Sequence, residues 1–428
     1  MARRVGNFGE TWSFVPARIE QPTTTDELVE IVRGARQLRV MGARHSWSRG
    51  IVTEDTLVSL DRMKRILHVD RERLRVRVQA GIRLRDLIGE LDALGLALAN
   101  LGSIDEQSLA GAVCTGTHGT GIGFRCLADQ VEGLRLIDGR GDERAIERDD
   151  PDFPAVVVGL GAFGVVHEMT LAVVPRFQMH AITESCPFDE VIERLDAFVD
   201  GSDHFKFWWF VPNDDAVVFR QRRTDQPRND SDLKRWFKDE FLGFAVYRAA
   251  LAVQRLNRRR LVPLTNRILA GEYARRFERI CKSHVAFLTP KPPVHRETEW
   301  AFDYADAKPL LRDYRKLLLD SGHAYSMPQE VRFTRGDALW ASPAYGRDSI
   351  WLSMYNIDSE ANWNDQLQLF ETFARAHGGR PHWGKEATFD TDYLLESLPK
   401  LGDFFELIEA YDPDGRFANA WIRGLTDD

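Results

Sequence analysis

The sequence predicts an α+β protein of two domains, and three observations lead to this prediction. The chain has 428 residues, which is more than usually fold around a single hydrophobic core. From the start of the chain to about residue 176, short segments with strand periodicity are interspersed with short segments with helix periodicity. From residue 177 the composition changes to aromatic strands and a long basic segment. We therefore predict a first domain over residues 1–176 and a second over residues 177–428.

Each element of the first domain has a local signal. Thr24 and Glu27 form a capping box at the start of a helix predicted over residues 24–37. Leucine and isoleucine at helical spacing, closed by Gly95, predict a second helix over residues 84–94. Runs of β-branched and aliphatic residues predict strands at 39–41, 57–60, 74–78, 134–137 and 165–174.

The second domain is predicted to begin with a helix over residues 186–200 and an aromatic strand over residues 205–211. Arginine and lysine are frequent in residues 234–279, where the spacing of apolar residues predicts amphipathic helices. We favour a solvated helix face beside ordinary core residues, with peripheral docking on an anionic membrane surface or partner as the alternative. Further strands are predicted at 298–302, 329–334 and 349–355, and a helix at 362–377.

Composition argues against several classes of function. The net charge of -8 argues against a nucleic-acid partner. The four cysteines form no CxxC pair and no metal-ligand spacing, so we predict buried thiols, a reducing compartment and no metal site. Glu10 soon follows the N-terminal arginines, which is unlike a signal peptide, and no apolar run is long enough to span a bilayer. We expect a soluble, cytoplasmic protein.

Two glycine-containing loops can hold a phosphate-bearing cofactor. The first, residues 41–46 (Met-Gly-Ala-Arg-His-Ser), follows a predicted strand, and its glycine lets backbone N–H groups approach a phosphate. It is not a GxGxxG loop, so a Rossmann fold is not predicted. The second, residues 115–121 (Thr-Gly-Thr-His-Gly-Thr-Gly), offers hydroxyls and amides to a pyrophosphate, with a glycine-rich turn as the alternative. Without further context, His45 is more typical of a hydrogen-bonded loop histidine than of a functional residue.

A third group of residues carries charge. Glu330 and Arg332 lie two residues apart on a predicted strand, so both side chains point to one face of a sheet. In a pocket, the carboxylate would accept hydrogen bonds from substrate hydroxyls and the guanidinium would stabilise developing negative charge. On a surface, the same residues form an ordinary salt bridge. The segment 380–385 (Arg-Pro-His-Trp-Gly-Lys) adds His382 and Lys385 far downstream.

Taken in this order, the segments give the chain a family likeness over almost its whole length. The chain resembles the aldonolactone and alditol oxidases of the vanillyl-alcohol oxidase (PCMH-type FAD) flavoprotein superfamily. The His-Trp-Gly-Lys tetrad at residues 382–385 is specific to this branch. Further matching segments are residues 100–104 (Asn-Leu-Gly-Ser-Ile), 108–112 (Ser-Leu-Ala-Gly-Ala), 160–166 (Leu-Gly-Ala-Phe-Gly-Val-Val) and 412–419 (Asp-Pro-Asp-Gly-Arg-Phe-Ala-Asn).

The resemblance implies a PCMH-type FAD-binding domain over residues 1–176 and an α+β cap (substrate) domain over residues 177–428. Its last segment, from about residue 380 to 428, is expected to return to the flavin. The resemblance implies that FAD is bound covalently through His45. The expected FAD contacts are Met41, Gly42, Ala43, Arg44, His45, Ser46, Gly102, Ser103, Ser108, Gly111, Ala112, Val113, Cys114, Thr117, Gly119 and Val166. The expected substrate contacts are Ser103, Glu330, Arg332, His382 and Lys385, of which Glu330, Arg332 and Lys385 are expected to be catalytic.

The implied activity is FAD-dependent oxidation of a CH–OH group of a polyol, sugar or aldonolactone, with hydride transfer to flavin N5 and O2 as the acceptor that gives H2O2. Gly102 lacks a side chain and would leave room for O2 beside the ring. Arg44 stands where the lactone oxidases commonly have glycine, whereas residues 234–279 resemble the lactone-oxidase branch, so the substrate stays open. The alternatives are a dehydrogenase that passes electrons to a quinone, cytochrome or other acceptor, and a non-catalytic flavin-binding or partner-binding protein.

Overall fold

The computed structural model describes residues 4–231, 244–254, 256–273, 275–289, 293–357 and 360–426. Part of the predicted basic segment, residues 234–243, lies outside the described residues. We number the strands of the described residues in chain order: β1 (Val5–Gly6), β2 (Ser13–Phe14), β3 (Arg18–Glu20), β4 (Leu38–Met41), β5 (Thr56–Ser59), β6 (Ile66–Asp70), β7 (Arg75–Gln79), β8 (Leu96–Ala97), β9 (Val131–Ile137), β10 (Glu143–Glu147), β11 (Val165–Ala172), β12 (Val174–Pro175), β13 (Gln178–Pro187), β14 (His204–Trp209), β15 (Asp215–Thr224), β16 (Phe277–Lys282), β17 (Arg296–Asp303), β18 (Gln329–Thr334), β19 (Ser349–Asn356) and β20 (Arg380–Pro381).

Helices lie between and around these strands, so the α+β fold class predicted from the sequence is confirmed. Short 3-10 helices occur at Leu127–Gln130 and Tyr304–Asp306. The α-helices of the described residues are Thr25–Gly34, Leu84–Ala93, Leu109–Cys114, Phe153–Val156, Phe188–Glu193, Leu195–Asp200, Phe244–Gln254, Arg258–Tyr273, Ser283–Phe287, Ala307–Asp320, Glu360–Ala376, Thr391–Ser397, Leu401–Tyr411 and Ala420–Thr426.

The first part of the chain is built on two sheets. A parallel three-stranded sheet has the order β3-β5-β4, and an antiparallel five-stranded sheet has the order β10-β9-β11-β7-β6. Helix Thr25–Gly34 covers the parallel sheet, and the Thr24 side chain caps it by accepting from the Glu27 N–H at 3.2 Å, as its sequence predicts. The loop at residues 41–46 leaves the end of β4.

The second part is built on an antiparallel eight-stranded sheet with the order β16-β13-β15-β14-β18-β19-β17-β20. On its middle strands, alternate residues are large and apolar, and these pack against helices Phe188–Glu193, Ala307–Asp320 and Glu360–Ala376. The residues between them point to the opposite face, which is the face that carries the polar side chains of the site described below. The shared apolar core contains Phe205, Phe207, Phe333, Leu352, Trp300 and Trp363.

Two helix predictions in the second part are wrong in part. The helix predicted over residues 186–200 begins only at Phe188, because Cys186 and Pro187 complete β13 by pairing with β15. It is then divided at Arg194, whose φ of -95° and ψ of 14° leave the helical region. The predicted helical segment 234–279 ends at Tyr273, because the following residues form β16 and pair with β13. Strand pairing with distant residues overrides local helix signals at both places.

Helix Arg258–Tyr273 shows how the basic segment is used. Its buried side includes Val262, Asn266 and Leu269, which agrees with the ordinary core stripe that we favoured. Leu264 and Ile268 are exposed on the same helix as three exposed arginines. In the part of the chain that the structure describes, no helix is both long enough and apolar enough to cross a membrane.

The last segment of the chain returns to the first part. After β20, apolar residues of the final helices, among them Leu401, Phe404 and Tyr411, enter the same core as the strands of the five-stranded sheet. The Leu38 N–H donates to the Arg416 carbonyl at 2.8 Å, directly before the loop at residues 41–46. Asn419 is buried, and its amide nitrogen donates to three backbone carbonyls of residues 49, 50 and 52.

We predict that Asn419→Ala destabilises the protein far more than the loss of an ordinary helix cap. Asn419 also caps helix Ala420–Thr426 by accepting from the Ile422 N–H at 3.0 Å, so the variant loses this cap together with the donor to the Val52 carbonyl. The carbonyls of residues 49 and 50 each keep a second donor. We expect a loss of about 3 kcal/mol in the free energy of unfolding, measured by urea denaturation. The control is Thr24→Ala, which removes an exposed cap alone and should cost about 1 kcal/mol. Equal losses would contradict the anchoring role of Asn419.

Candidate active site

Two joined cavities lie between the first part of the chain and the polar face of the large sheet. The wider one, of about 440 Å³, is bounded by residues 102–107, the second glycine loop and the sheet. The narrower one, of about 130 Å³, is bounded by residues 39–46, 107–115 and 160–166. His45, Ser46, Gln107 and Thr115 line both cavities, so the two form one continuous slot.

The first glycine loop forms the junction of the two cavities. Arg44 adopts a φ of 63°, which turns the chain sharply, and the Phe8 N–H donates to its carbonyl at 2.8 Å. The ring of His45 stacks on Phe8 with ring centroids 4.8 Å apart. The backbone N–H of Trp47, directly after this loop, donates to the Gly384 carbonyl at 2.8 Å, so the loop lies next to the segment 380–385.

The narrow cavity fits an elongated ligand that accepts hydrogen bonds. Ser108 Oγ is buried there and has no hydrogen-bond partner among the described residues. A Cβ at position 42 would overlap this oxygen, and one at position 111 would lie 3.0 Å from it. Glycine at both positions therefore keeps the backbone close to the slot and leaves the hydroxyl for a ligand. A dinucleotide with phosphate and ribityl oxygens satisfies these conditions.

The second glycine loop connects the slot to the large sheet. Positive φ angles at Gly116 (72°) and Gly121 (121°) bend it in a way that other residues rarely adopt. The Gly121 N–H donates to the Phe333 carbonyl of β18 at 2.7 Å. Within the loop, Thr117 accepts from the Gln107 side chain at 3.0 Å and faces the wider cavity. The loop is thus held next to Arg332.

The floor of the wider cavity is made by four neighbouring strands that each contribute side chains two residues apart. The register places Trp208 of β14 opposite Glu330 of β18, Glu330 opposite Ser353 of β19, and Ser353 opposite Glu299 of β17. Because side chains alternate along a strand, the residue two positions away lies on the same face. The pairs are Lys206 and Trp208, Glu330 and Arg332, Ser353 and Tyr355, and Glu297 and Glu299.

Glu330 is the centre of a buried cluster of hydrogen bonds. Its Oε1 accepts from Lys206 Nζ at 2.8 Å and from Trp208 Nε1 at 3.0 Å. Its Oε2 accepts from the Tyr355 hydroxyl at 2.6 Å and from the Arg332 guanidinium. Burial alone would raise the pKa of Glu330, but the charges of Arg332 and Lys206 outweigh burial and hold the pKa well below its ordinary value. Glu330 is therefore an anion with four protein donors.

The two cations beside Glu330 respond differently to burial. Burial lowers the pKa of Lys206, and Glu330 offsets this decrease only in part. Burial also acts to lower the pKa of Arg332, but Glu330, Tyr355 and Glu299 together raise it well above the ordinary value. Arg332 keeps its charge, and its Nε, which faces no hydrogen-bond partner among the described residues, is a donor that a ligand can use.

A second charged cluster surrounds Lys385. Its ammonium contacts the Glu297 carboxylate directly, lies 3.9 Å from Glu299 Oε2, and sits over the Trp47 ring 5.0 Å from the centroid. Burial would raise the pKa of Glu299, but a protonated His118, together with Arg332 and Lys385, holds the pKa well below the ordinary value. Lys385 therefore reaches the cavity from the downstream segment, opposite the glycine loops.

The structure brings most of the predicted site residues together. Every expected substrate contact lines the wider cavity: Ser103, Glu330, Arg332, His382 and Lys385. Of the expected cofactor contacts, Gly102, Ser103 and Thr117 line the wider cavity. The expected cofactor contacts that line the narrower cavity are Met41, Gly42, Ala43, Arg44, His45, Ser46, Ser108, Gly111, Cys114 and Val166.

Three expected cofactor contacts lie elsewhere. Ala112 and Val113 line neither cavity, because their side chains point into the core from the inner side of helix Leu109–Cys114. Gly119 also lines neither cavity, and a Cβ there would meet the Leu101 carbonyl and the Asn100 side chain. The glycine at this position serves packing within the loop.

Sequence reasoning missed several residues of the cavity floor and edge. Lys206, Trp208 and Tyr355 surround Glu330, whereas Glu299 and His118 lie near Lys385. A signal was present in the strand segments, since polar residues alternate there with large apolar ones. The sequence does not say which of these strands are neighbours, so the side chains could not be joined into one site.

Comparison with known proteins agrees with this geometry. A sequence model described as D-arabinono-1,4-lactone oxidase matches residues 169–425, and one described as FAD binding domain matches residues 16–146. Cholesterol oxidase from Brevibacterium sterolicum has the same fold, with a TM-score of 0.83 at 15% identity over 99% of this chain and 97% of that chain.

The chain aligns with three curated relatives over nearly the whole length of each. L-gulonolactone oxidase of Scyliorhinus torazame is 31% identical over 99% of this chain and 98% of its own. L-gulono-1,4-lactone dehydrogenase of Mycobacterium tuberculosis is 30% identical over 95% of both chains. Alditol oxidase of Streptomyces is 28% identical over the full length of both. The chain therefore belongs to the D-arabinono-1,4-lactone oxidase family, and it is an FAD-dependent oxidoreductase that acts on CH–OH groups.

Proposed function

We propose that the protein oxidises a CH–OH carbon of an aldonolactone, with sugars and polyols as further candidate donors, and that O2 is the acceptor. The observation that carries this proposal is the wider cavity, where Arg332 and Lys385 lie beside the slot that His45 and Ser108 border. We further propose that residues 1–176 form the FAD-binding domain and residues 177–428 the substrate domain. Bound FAD supplies the hydride acceptor, and its reoxidation by O2 yields hydrogen peroxide.

The hydrogen bonds of the cavity favour a substrate rich in acceptor oxygens. Both oxygens of Glu330 already accept from protein donors, Glu297 contacts the Lys385 ammonium, and Glu299 Oε1 accepts from the Ser353 hydroxyl at 2.8 Å. Donors remain available, in particular Arg332 Nε. A lactone presents a carbonyl and a ring oxygen that can only accept, whereas an alditol presents hydroxyls that also donate. The donor-rich face therefore supports a lactone before an alditol.

Each charged residue has a distinct proposed role. Arg332 and Lys385 stabilise the negative charge that grows on the substrate oxygen as its proton leaves. Glu330 holds Lys206 and Arg332 in place and acts to raise the pKa of both, so its role is positioning. Ser103 Oγ, 3.4 Å from Lys206 Nζ, and His382 orient the remaining substrate oxygens. The aromatic rings of Trp47 and Trp208 limit the water that reaches the cavity.

We propose that FAD is attached covalently through His45. His45 lines both cavities, so its ring stands where the slot turns toward the substrate side. Stacking on Phe8 fixes the ring, which is needed if one atom is to meet a single carbon of the cofactor.

We propose that the protein works in a reducing compartment, as the cytoplasm is. Cys126 and Cys186 are buried and not part of a disulfide, and burial raises the pKa of both thiols, to about 11 for Cys186. Such thiols react slowly, which suits a structural role.

We predict that the purified FAD-loaded protein releases hydrogen peroxide with at least one aldonolactone in a panel of aldonolactones, aldoses and alditols. Peroxide and O2 consumption are measured together and should match. Arg332→Met should lower kcat/KM by about 10²- to 10³-fold, because a buried donor to the developing charge is lost. Arg335→Met, an exposed change at the end of the same strand, is the matched control and should have little effect. The proposal fails if no compound bleaches the flavin without O2.

We predict that His45→Ala abolishes covalent attachment of the flavin. After acid precipitation, the yellow colour should remain with the wild-type pellet and pass into the supernatant for the variant. His68→Ala changes an exposed histidine on β6 and should keep the colour in the pellet. Flavin that stays bound to precipitated His45→Ala protein would show that another residue carries the attachment.

We predict that Gly102→Ala slows the reaction with O2 more than the reaction with substrate. A Cβ at position 102 would lie 3.2 Å from Thr117 Cγ2 at the cavity wall and would fill space beside the slot. We expect the rate of reoxidation by O2 to fall about tenfold, equivalent to ~1.4 kcal/mol in activation free energy, while turnover with an artificial dye acceptor is kept. Gly123→Ala adds a methyl group where no atom lies within 4 Å and is the control. Parallel losses with O2 and dye would contradict an O2 path at Gly102.

A further inference from the structure

His118 and Glu299 form a buried contact at the edge of the wider cavity, beside Lys385. His118 Nε2 lies 3.4 Å from Glu299 Oε1, and the two side chains are 1% and 2% exposed. His118 stacks on Trp351 with ring centroids 3.7 Å apart, so packing fixes the orientation of the imidazole. Both His118 and Glu299 line the cavity. The roles proposed above use neither residue.

The hydrogen bond at the other ring nitrogen decides where the imidazole proton lies. His118 Nδ1 is 2.9 Å from the Gly119 carbonyl oxygen, and a carbonyl can only accept, so Nδ1 carries the hydrogen. In a neutral ring, Nε2 then directs a lone pair at a carboxylate oxygen, and it has no hydrogen-bond partner among the described residues. Two buried acceptors that face each other are unfavourable. One further proton between Nε2 and Oε1 turns this contact into a charge-assisted hydrogen bond.

The charges near the His118–Glu299 contact are balanced before the reaction, so one additional proton can be accommodated when negative charge is transferred. The sheet face and the downstream segment carry three carboxylates and three cations, which balance while His118 is neutral: Glu297, Glu299, Glu330, Lys206, Arg332 and Lys385. Burial lowers the pKa of His382 to about 3, so that ring stays neutral. Oxidation of a CH–OH carbon moves a hydride, and with it one negative charge, from the substrate to the neighbouring slot. A proton kept nearby offsets this charge.

We propose that the His118–Glu299 pair takes up the hydroxyl proton of the substrate and keeps it until O2 is reduced. This inference rests on the proposed function. The substrate O–H bond breaks, the proton passes by way of Glu299, and an N–H bond forms at His118 Nε2. The C–H electron pair leaves as hydride to the bound FAD. Proton and hydride are then delivered to O2 as hydrogen peroxide, so atoms and electrons balance over the cycle.

A metal ion bound between His118 and Glu299 is the alternative to a shared proton. One ligand atom each from His118, Glu299 and His382 lie within 4.8 Å of one another. However, His382 Nδ1 accepts from the Gly384 N–H at 3.0 Å, which leaves its proton on Nε2 and blocks that nitrogen as a ligand. The Lys385 ammonium, 3.9 Å from Glu299, also repels a cation. These contacts favour a proton.

His295 and Glu297 form a similar contact on the other side of Lys385 and provide a matched control. His295 Nε2 lies 3.5 Å from Glu297 Oε2, and its Nδ1 donates to the Pro293 carbonyl at 2.7 Å. Here the carboxylate is in direct contact with the Lys385 ammonium, which already neutralises it. For this reason the proton is assigned to His118.

The test counts the protons released when substrate reduces the flavin without O2. FAD-loaded protein in weak buffer with the indicator phenol red is mixed with the aldonolactone that bleaches it fastest, and flavin and indicator absorbance are followed together. Wild-type protein should release almost no protons. His118→Asn, which keeps a donor for the Gly119 carbonyl, should release about one proton per flavin reduced, because the ring nitrogen to which we assign the proton is gone. His295→Asn should behave as wild type.

Three outcomes would overturn the assignment. These are release of a full proton by wild-type protein, retention of the proton by His118→Asn, and release by His295→Asn alone. Stoichiometric metal in purified wild-type protein, measured by mass spectrometry, would also contradict it. Release of a full proton by wild-type protein overturns the assignment even if His118→Asn fails to fold. Failure of the proposed function is seen separately, as flavin absorbance that no substrate changes.

Discussion

The site depends on the pairing of buried charges on one face of the large sheet. An isolated ion in such a place would cost many kcal/mol, and removal of one partner from a buried pair typically costs about 3–5 kcal/mol. Glu330 is held by Lys206 and Arg332, and Glu297 and Glu299 share Lys385. Because each ion needs its neighbour, the array is fixed before a substrate enters, and little reorganisation remains for the reaction itself.

Backbone hydrogen bonds align this array with the cofactor slot. The Trp47 N–H donates to the Gly384 carbonyl, and the His382 N–H donates to the Glu299 carbonyl at 2.9 Å. The downstream segment therefore contacts the first glycine loop on one side and β17 on the other. Main-chain hydrogen bonds thus fix the relative positions of side chains that are far apart in the sequence. Because these bonds do not involve side chains, substitutions elsewhere can leave them intact. This explains how relatives named for lactones and for an alditol can share the scaffold.

The sequence predicts those site residues that are recognisable from their immediate neighbours in the chain, and it does not predict those that depend on strand pairing. The pair Glu330 and Arg332 was visible because two charged residues alternate within one strand, and the family likeness added Lys385 and the glycine loops. Lys206 was not found, because its role comes from a strand pairing between β14 and β18 that no local pattern encodes. For the same reason the helix predicted at residues 186–200 is wrong at its start, since its first two residues pair with β15 as part of β13. The fold class needed no such information, because mixed strand and helix periodicity already specifies it.

The arrangement also separates binding from catalysis. In the proposed mechanism, the donors of Arg332 and Lys385 interact with a substrate oxygen in the ground state, and their attraction increases as that oxygen loses its proton and gains charge. Interactions that strengthen toward the transition state raise kcat, whereas equal binding of both states only lowers KM. Glu330 accepts from Arg332, and its other donors, Lys206, Trp208 and Tyr355, fix the carboxylate. A carboxylate with four fixed donors therefore holds the Arg332 guanidinium in one orientation, with Nε left for a ligand.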